Sequence, residues 1–220
     1  MSMPATAAIK EDNDEGITNQ RKPRREGNTY TALCEVARQL EVQGIESEIV
    51  WVGTRPVRGC IACGKCKQQG DNRCIFDDDV TNEVIGKMEQ CDAIIVGSPV
   101  YWGQPSGQLL CLQQRMLYAG GAMFKDKPAA AVVCCRRGGA TAAYQTMLMP
   151  FQMCNMPIVT SQYWNIAYGR DAGESLMDIE GMQTMRTLAN NMAWLLKKIN
   201  GTDTTPRPER EDWEPMSFIR

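Results

Sequence analysis

The sequence predicts an α/β protein with a doubly wound parallel sheet that is covered by helices on both faces. Two apolar runs, residues 93–97 and 129–134, are too short for helices and consist mainly of small and β-branched residues, which is typical of buried parallel strands. A glycine-containing loop and then a predicted helix follow each run, and this alternation indicates a parallel sheet. Such sheets bind ligands at the carboxyl ends of their strands, so these loops are candidate binding loops.

The other elements are predicted from periodicity and from the residues that begin and end them. The first helix is capped by Asn28 or Thr29 and ends at Gly44, because glycine readily takes the backbone conformation that terminates a helix. Glycines at 120–121 are expected to break a helix that begins near Ser106. The remaining predictions are strands at 45–52 and 157–161, a helix opened by acidic residues 77–79, and a long last helix over 179–199.

Composition limits the classes of function. The 220 residues carry a net charge of −2, which argues against nucleic-acid binding. They include no histidine, which excludes Ser-His and Cys-His catalytic sites and metal sites with histidine ligands. Residues 22–200 are predicted to form one domain, between a flexible segment at 1–21 and a loose tail at 201–220. No apolar run is long enough for a membrane helix or a signal peptide, so we expect a cytoplasmic protein without a membrane partner.

Three loops are expected to converge on one ligand: residues 23–29, 98–103 and 136–141. The first places arginine, glycine, asparagine and threonine at a helix N-terminus, where backbone N–H groups favour a phosphate. The second presents two adjacent aromatic residues, and the third contains two adjacent glycines that allow a close backbone approach. One such loop is an ordinary turn, whereas three at strand ends indicate a shared ligand.

These loops resemble those of the flavodoxin-like superfamily, in the branch of the NADPH-dependent FMN reductases and iron-sulfur flavoproteins. Residues 22–29, Lys-Pro-Arg-Arg-Glu-Gly-Asn-Thr, are similar to the family's phosphate loop. Residues 97–102, Gly-Ser-Pro-Val-Tyr-Trp, are similar to its loop along the flavin, and residues 136–139 to its loop at the far edge of the isoalloxazine. The resemblance covers about residues 22–200 and implies a flavodoxin-like sheet of five strands with FMN as cofactor.

The resemblance assigns the cofactor-binding residues in three groups. They are Arg24, Gly27, Asn28 and Thr29 at the phosphate, Ser98, Pro99, Val100, Tyr101, Trp102 and Gly103 beside the flavin ring, and Arg136, Arg137, Gly138 and Gly139 at its far edge. No side chain is expected to be a catalytic acid or base, because the flavin carries the chemistry. Two departures concern the phosphate end: Lys22 replaces the family's serine, and the mostly polar residues 16–21 form an atypical first strand for the centre of a sheet.

Four cysteines give the sharpest chemical signal: Cys60, Cys63, Cys66 and Cys74, spaced Cys-x2-Cys-x2-Cys-x7-Cys. Four thiolates on one glycine-containing loop can bind a four-iron four-sulfur cluster, and the iron-sulfur flavoproteins have a compact motif of this sort at this place. Zinc is a second alternative, although zinc sites more often use two separated Cys-x2-Cys pairs. Free thiols or a disulfide are the third. The other six cysteines are predicted to be small buried residues.

These observations are compatible with three functions. The resemblance implies an FMN-dependent oxidoreductase that accepts electrons from NAD(P)H and reduces a small acceptor such as a quinone or a nitro compound. The cysteine motif suggests an alternative, an iron-sulfur relay that ferredoxin would feed. The altered phosphate end leaves a third alternative, a flavin-free protein of the same fold. The resemblance also implies a homodimer or homotetramer.

Overall fold

The computed structural model describes residues 27–53, 55–199, 211, 212, 214 and 216. The atypical first strand at 16–21, the segment predicted to be flexible at 1–21, and both Lys22 and Arg24 lie outside the described residues. The same holds for most of the tail at 201–220. The described residues thus form the body of the predicted domain, from the end of its first loop onward.

The described residues form six helices and three strands, which alternate from β1 onward after three helices. The helices are α1 (Asn28–Val42), α2 (Lys65–Gln69), α3 (Thr81–Glu89), α4 (Gly107–Phe124), α5 (Ala140–Met153) and α6 (Ile179–Ile199), with a 3-10 turn at Glu174–Met177. The strands are β1 (Ile94–Pro99), β2 (Ala129–Cys135) and β3 (Ile166–Tyr168). None of the described helices is long and apolar enough to cross a membrane.

The strands form a parallel sheet in the order β1-β2-β3. Ile94 pairs with Ala129 at one end of the first ladder and Pro99 with Cys134 at the other. The second ladder is short and runs from Val133 opposite Ile166 to Cys135 opposite Tyr168. All three strands therefore end at one edge of the sheet, where the candidate loops begin.

Two apolar cores cover the two faces of this sheet. Alternate residues of β1 and β2 point to opposite faces, so Ile94 and Val96 join one core and Ile95 joins the other. Helices α3, α4 and α5 pack on the first face, and α1 and α6 pack on the second. The fully buried alanines of β2 let helices approach closely from both sides. This is the doubly wound α/β architecture that the sequence predicts.

Three predicted elements differ in the structure. Residues 45–52 are not assigned to a strand and have only an isolated bridge position at Glu46. Residues 157–161 contribute one bridge, Ile158 to Ala129, and the strand itself comes later as β3. Helix α4 continues through the glycines at 120–121, where a Cβ would lie 2.7 Å from the Phe124 ring or 2.9 Å from the Cys154 sulfur. Close packing explains these glycines, and the predicted helix break is wrong.

The described part of the tail lies against α6. Arg186 Nε donates to the Glu211 carboxylate at 2.7 Å, and Gln183 Nε2 donates to the Asp212 carbonyl at 3.3 Å. The predicted helix ends hold elsewhere: Gly44 follows α1 with a φ of 74°, and α6 spans Ile179–Ile199. The N-cap of α1 is Gly27, one residue before the predicted Asn28 or Thr29.

Candidate functional site

A cleft of about 530 Å³ opens at the carboxyl ends of the three strands. Its walls come from six segments: the start of α1, residues 49–53, the end of β1 with the loop after it, the start of α4, the end of β2 and the loop after β3. Seven predicted site residues line it, namely Gly27, Asn28, Thr29, Pro99, Val100, Tyr101 and Arg136. The structure thus brings all three predicted loops to one cavity.

The start of α1 is open to this cleft. Gly27 caps the helix with an extended backbone (φ −89°, ψ 177°) and, as a glycine, offers the N–H groups of the first turn no side-chain cap. The side-chain oxygen of Asn28 accepts from the Ser175 backbone N–H at 3.0 Å, so this side chain also holds the loop after β3. Gly169 makes that contact possible, since a Cβ there would lie 2.6 Å from Asn28 Nδ2. The result is a helix N-terminus that lines the cleft and has no side-chain cap at Gly27.

The loop after β1 is a tight turn held from beneath by Ser98. This buried hydroxyl accepts from the Ser106 backbone N–H at 2.8 Å, which joins the two ends of the loop. Tyr101 and Gln104 exchange backbone hydrogen bonds of 2.8 and 2.9 Å around Trp102 and Gly103. Those two residues have φ values of 53° and 77°, the pattern of a type I′ turn. The turn points the Trp102 side chain outward, fully exposed, so it does not line the cleft with Tyr101.

The loop after β2 packs directly on this turn. Gly139 has a φ of 86°, and a Cβ there would lie 2.9 Å from Gly103 Cα and 3.1 Å from Val100 Cγ1. Of the four predicted residues in this loop, only Arg136 lines the cleft, whereas Arg137, Gly138 and Gly139 lie on the outer side. Gly103 and Ser98 likewise support the wall without lining it.

Two cysteines at the end of β2 line the cleft as well. Burial raises the pKa of Cys134 to about 12, although a hydrogen bond with Thr29 works in the opposite direction. Burial also raises the pKa of Cys135. Both thiols are therefore protonated at neutral pH and give the cleft floor an uncharged surface. The sequence places them correctly as buried residues but gives no sign that they face a cavity.

Sequence reasoning missed two further walls. Residues 49–53 close one side, with Trp51 and Val52 among them, and Arg170 and Ala172 close another beside Gly169. The first wall was recoverable, since it is the carboxyl end of a predicted strand, where ligands bind. The second follows β3, whose predicted position lies several residues too early. Because the strand was predicted too early, the loop that follows it was also predicted too early, and Arg170 was not among the predicted site residues.

The four motif cysteines lie around a second, much smaller pocket. Cys60, Cys63, Cys66 and Cys74 all line it, together with apolar residues of the same loop and of α4, and its free volume is about 20 Å³. All ten cysteines of the chain are free thiols, so the disulfide alternative finds no support. Among the described residues, no group of three or more Cys, Asp or Glu side chains converges as a single metal ion requires. This arrangement does not offer zinc a tetrahedral set.

A cluster places different demands on the same four residues. A cubane presents four separate irons, so its thiolates surround it and need not converge on one point. Four cysteines around one mostly apolar pocket match that requirement in kind and number. The free volume of about 20 Å³ is room for about one water molecule, which is less than a cluster occupies.

Comparison with known proteins identifies the family. The sequence profile described as NADPH-dependent FMN reductase matches residues 22–171. An iron-sulfur flavoprotein of Methanocaldococcus jannaschii is 34% identical over 185 residues, which cover 80% of this chain and 94% of that protein. Membership supports a flavin-dependent oxidoreductase with FMN as its cofactor.

Solved structures agree on the fold. RosB with a bound 8-demethyl-8-formylriboflavin-5'-phosphate superposes with a TM-score of 0.63 at 15% identity, over 84% of this chain and 78% of that one. A flavodoxin, WrbA-like protein from Agrobacterium tumefaciens gives a TM-score of 0.53 at 14% identity, over 77% of this chain and 90% of that one. The cleft, the parallel sheet and the sequence match together show that this chain belongs to the NADPH-dependent FMN reductase family, with a flavodoxin-like fold.

Proposed function

We propose that this chain is an FMN-dependent oxidoreductase that takes electrons from NAD(P)H and passes them to a small acceptor such as a quinone or a nitro compound. The observation that carries the proposal is the cleft of about 530 Å³ at the strand ends. Its volume falls within the range of cofactor sites, and it joins an open helix N-terminus to a largely apolar wall. A phosphate and a flat ring need these two surfaces side by side.

The residues present fit FMN. The N–H groups at the start of α1 suit a phosphate, because they line the cleft at the positive end of the helix dipole and Gly27 gives them no side-chain cap. Thr29 adds a hydroxyl donor, and Arg24 would add a positive charge. Val100 and Tyr101 form a wall against which a ring can lie, and Cys135 lies at the end of the neighbouring strand. FMN, when bound, supplies the hydride and electron transfer that no side chain of this cleft can perform.

The other side chains of the cleft favour an anionic electron donor and exclude water. Arg136 and Arg170 extend from neighbouring strand ends and are exposed at the cleft, where their charges attract the phosphates of NAD(P)H. Trp51 and Val52 cover the opposite side and reduce contact with solvent. The protonated thiols of Cys134 and Cys135 keep the floor uncharged.

FMN binding is tested by titrating full-length, flavin-free protein with FMN and following the quenching of flavin fluorescence. Thr29→Val keeps the side-chain shape and removes the hydroxyl, so we expect about tenfold or greater weakening, the usual effect of losing a hydrogen bond to a charged group. Thr146→Val is the matched control, because the Thr146 hydroxyl donates only to the Ala142 carbonyl of its own helix, at 2.8 Å. Equal dissociation constants for both variants would contradict the phosphate site.

Turnover separates the proposed reaction from its alternatives. Oxidation of NADPH or NADH is measured with the FMN-loaded protein and a quinone, and then with a nitro compound. Steady turnover with either nucleotide supports the proposal, whereas FMN binding without nucleotide oxidation contradicts the choice of electron donor. Failure to bind FMN at all would favour the flavin-free alternative.

The cysteine pocket favours a second candidate function, an iron-sulfur relay that accepts electrons from a ferredoxin. Cys60, Cys63, Cys66 and Cys74 would hold the four-iron four-sulfur cluster, and the relative from Methanocaldococcus jannaschii is named an iron-sulfur flavoprotein. Reduced ferredoxin should then reduce the bound flavin rapidly, while NAD(P)H reduces it slowly. Iron analysis of anaerobically purified protein gives the first answer, and about one iron per chain or less would count against a cluster.

We also propose that the chain forms a homodimer or homotetramer. The fully exposed Trp102 and the half-exposed Tyr101 stand at the rim of the cleft, and exposed aromatic residues at such a place favour contact with a second copy. Light scattering on the FMN-loaded protein gives the oligomeric mass, and a monomer would contradict the proposal.

A further inference from the structure

Arg115 of α4 is an arginine buried almost completely beside the cysteine pocket. Its side chain is 1% exposed, and its ion-pair partner Asp79 is 2% exposed. Arginine is rarely buried to this extent unless its charge is paired, and a buried pair contributes little net stability compared with apolar side chains. The FMN cleft does not include Arg115, so the proposed flavin chemistry does not account for it.

The guanidinium donates to both ends of the loop that carries the four cysteines. Its Nε donates to the sulfur of Cys74 at 3.2 Å, and its Nη2 donates to the Phe76 carbonyl at 2.8 Å. Its Nη1 donates to the Asp79 carboxylate and, at 3.4 Å, to the Arg58 carbonyl. These acceptors lie before the first motif cysteine and at or beyond the last, so one side chain ties the two ends of the loop to α4.

The planar fork of arginine explains why this residue type stands there. A guanidinium has five N–H donors in fixed directions, and Arg115 makes four hydrogen bonds, all to acceptors of one loop. Burial acts to lower the pKa of Arg115, but hydrogen bonds with Cys74 and Asp79 outweigh it, so the pKa lies above its usual value. The charge is therefore permanent and stays next to the Cys74 sulfur.

We propose that Arg115 is the positioning residue of the cysteine loop, which holds residues 58–79 on α4 and fixes the sulfur of Cys74 by a hydrogen bond before any cluster is present. The part that concerns a cluster rests on the proposed relay function, whereas the ordering of the loop does not. An N–H···S bond to a ligand sulfur also stabilises the reduced, more negative cluster, so Arg115 would raise its reduction potential.

The test is limited proteolysis of the full-length, metal-free protein with a lysine-specific protease. Lys65 and Lys67 are exposed and lie on α2 within the cysteine loop. The variant is Arg115→Met/Asp79→Asn, which removes both buried charges together. The Thr81 backbone N–H donates to the Asp79 carboxylate at 3.0 Å, and asparagine keeps a side-chain oxygen that can accept this hydrogen bond. We expect cleavage after these lysines to be about tenfold faster or more than in the unaltered protein, with the melting temperature nearly unchanged.

Two further variants keep the result interpretable. Arg73→Met removes a partly exposed ion pair with Glu89 from the same loop and should change the rate by about twofold or less. Arg115→Lys keeps a positive charge beside Asp79 but loses the planar guanidinium. If the guanidinium holds the loop, cleavage after Lys65 and Lys67 should also be faster in this variant. Equal rates for Arg115→Lys, for the double variant and for the unaltered protein, or rapid cleavage of all three, would overturn the proposal.

Cluster-loaded protein gives an independent second measurement. The midpoint potential of the double variant should lie below that of the unaltered protein, and an equal or higher potential would contradict the hydrogen bond to Cys74. If the unaltered protein takes up no iron, the relay function fails, while the proteolysis still decides the role of Arg115.

Discussion

Replacement of Gly139 by alanine tests how strongly the two loops of the cleft depend on each other. Gly139 has a left-handed backbone with φ of 86°, which costs an L-residue about 1–2 kcal/mol. The new Cβ would lie 2.9 Å from Gly103 Cα and 3.1 Å from Val100 Cγ1, and the forced displacement of such neighbours costs about 1–3 kcal/mol. The free energy of unfolding should therefore fall by about 2–5 kcal/mol.

The assay is thermal unfolding of the flavin-free protein, followed by circular dichroism. For a domain of this size each kcal/mol lowers the melting temperature by about 2–4 °C, so we expect a decrease of about 4–20 °C. Gly138→Ala is the matched control, because its backbone is not left-handed and no described atom lies within 4 Å of the new Cβ. It should melt within about 2 °C of the unaltered protein.

Equal melting temperatures for the two variants would contradict this prediction. Such a result would mean that the loop after β2 does not press on the turn at 101–104, and that Gly139 is not needed for its left-handed conformation. A large decrease for both variants would contradict it as well, because the two glycines differ in backbone conformation and in the space around the new Cβ, from which the expected loss is calculated.

Three further predictions concern the cleft, the buried ion pair of Arg115 and Asp79, and the turn at 101–104. Gly169→Val should weaken FMN binding by about tenfold or more in a fluorescence titration, because a Cβ there lies 2.6 Å from Asn28 Nδ2, and an unchanged dissociation constant would count against this contact. Burial acts to raise the pKa of Asp79, but hydrogen bonds from Thr81 and Arg115 lower it below its usual 3.8. Asp79 therefore stabilises the fold above about pH 4 and loses this effect as the pH falls, so urea unfolding of Asp79→Asn should depend less on pH between about pH 5 and pH 2.5. Trp102→Ala should reduce the oligomeric mass in light scattering, because its side chain is fully exposed on the single chain and is available for contact with a second copy.

The sequence predicted the frame of the fold because the relevant signals are local. The apolar runs became β1 and β2, since short stretches of alanine, valine and isoleucine between turn residues have few other structures open to them. Helices α1 and α6 carry their apolar stripes where the periodicity puts them. The loops at 27–29, 99–101 and Arg136 meet at one cleft because parallel strands end at the same edge.

The errors arose where a neighbour decides the outcome. Strand β3 contains only Ile166–Tyr168, and its place depends on pairing with Val133–Cys135 and not on its own composition. The glycines at 120–121 lie within α4, and Phe124 and Cys154 occupy the space that larger side chains would need there. A helix propensity computed along the chain carries no information about either contact.

Local sequence signals were sufficient for the class of fold, the order of most elements and the loops that form the cleft, since spacing and turn residues act within a few positions. Which loop residues face the cleft and which support it depends instead on tertiary packing, as at Trp102 and Gly139. The same packing brings Arg115 against the ends of a loop that lies 36 to 57 residues earlier in the chain. A buried charge is stable only beside specific partners, and these partners are set by the packing of helices and loops in three dimensions.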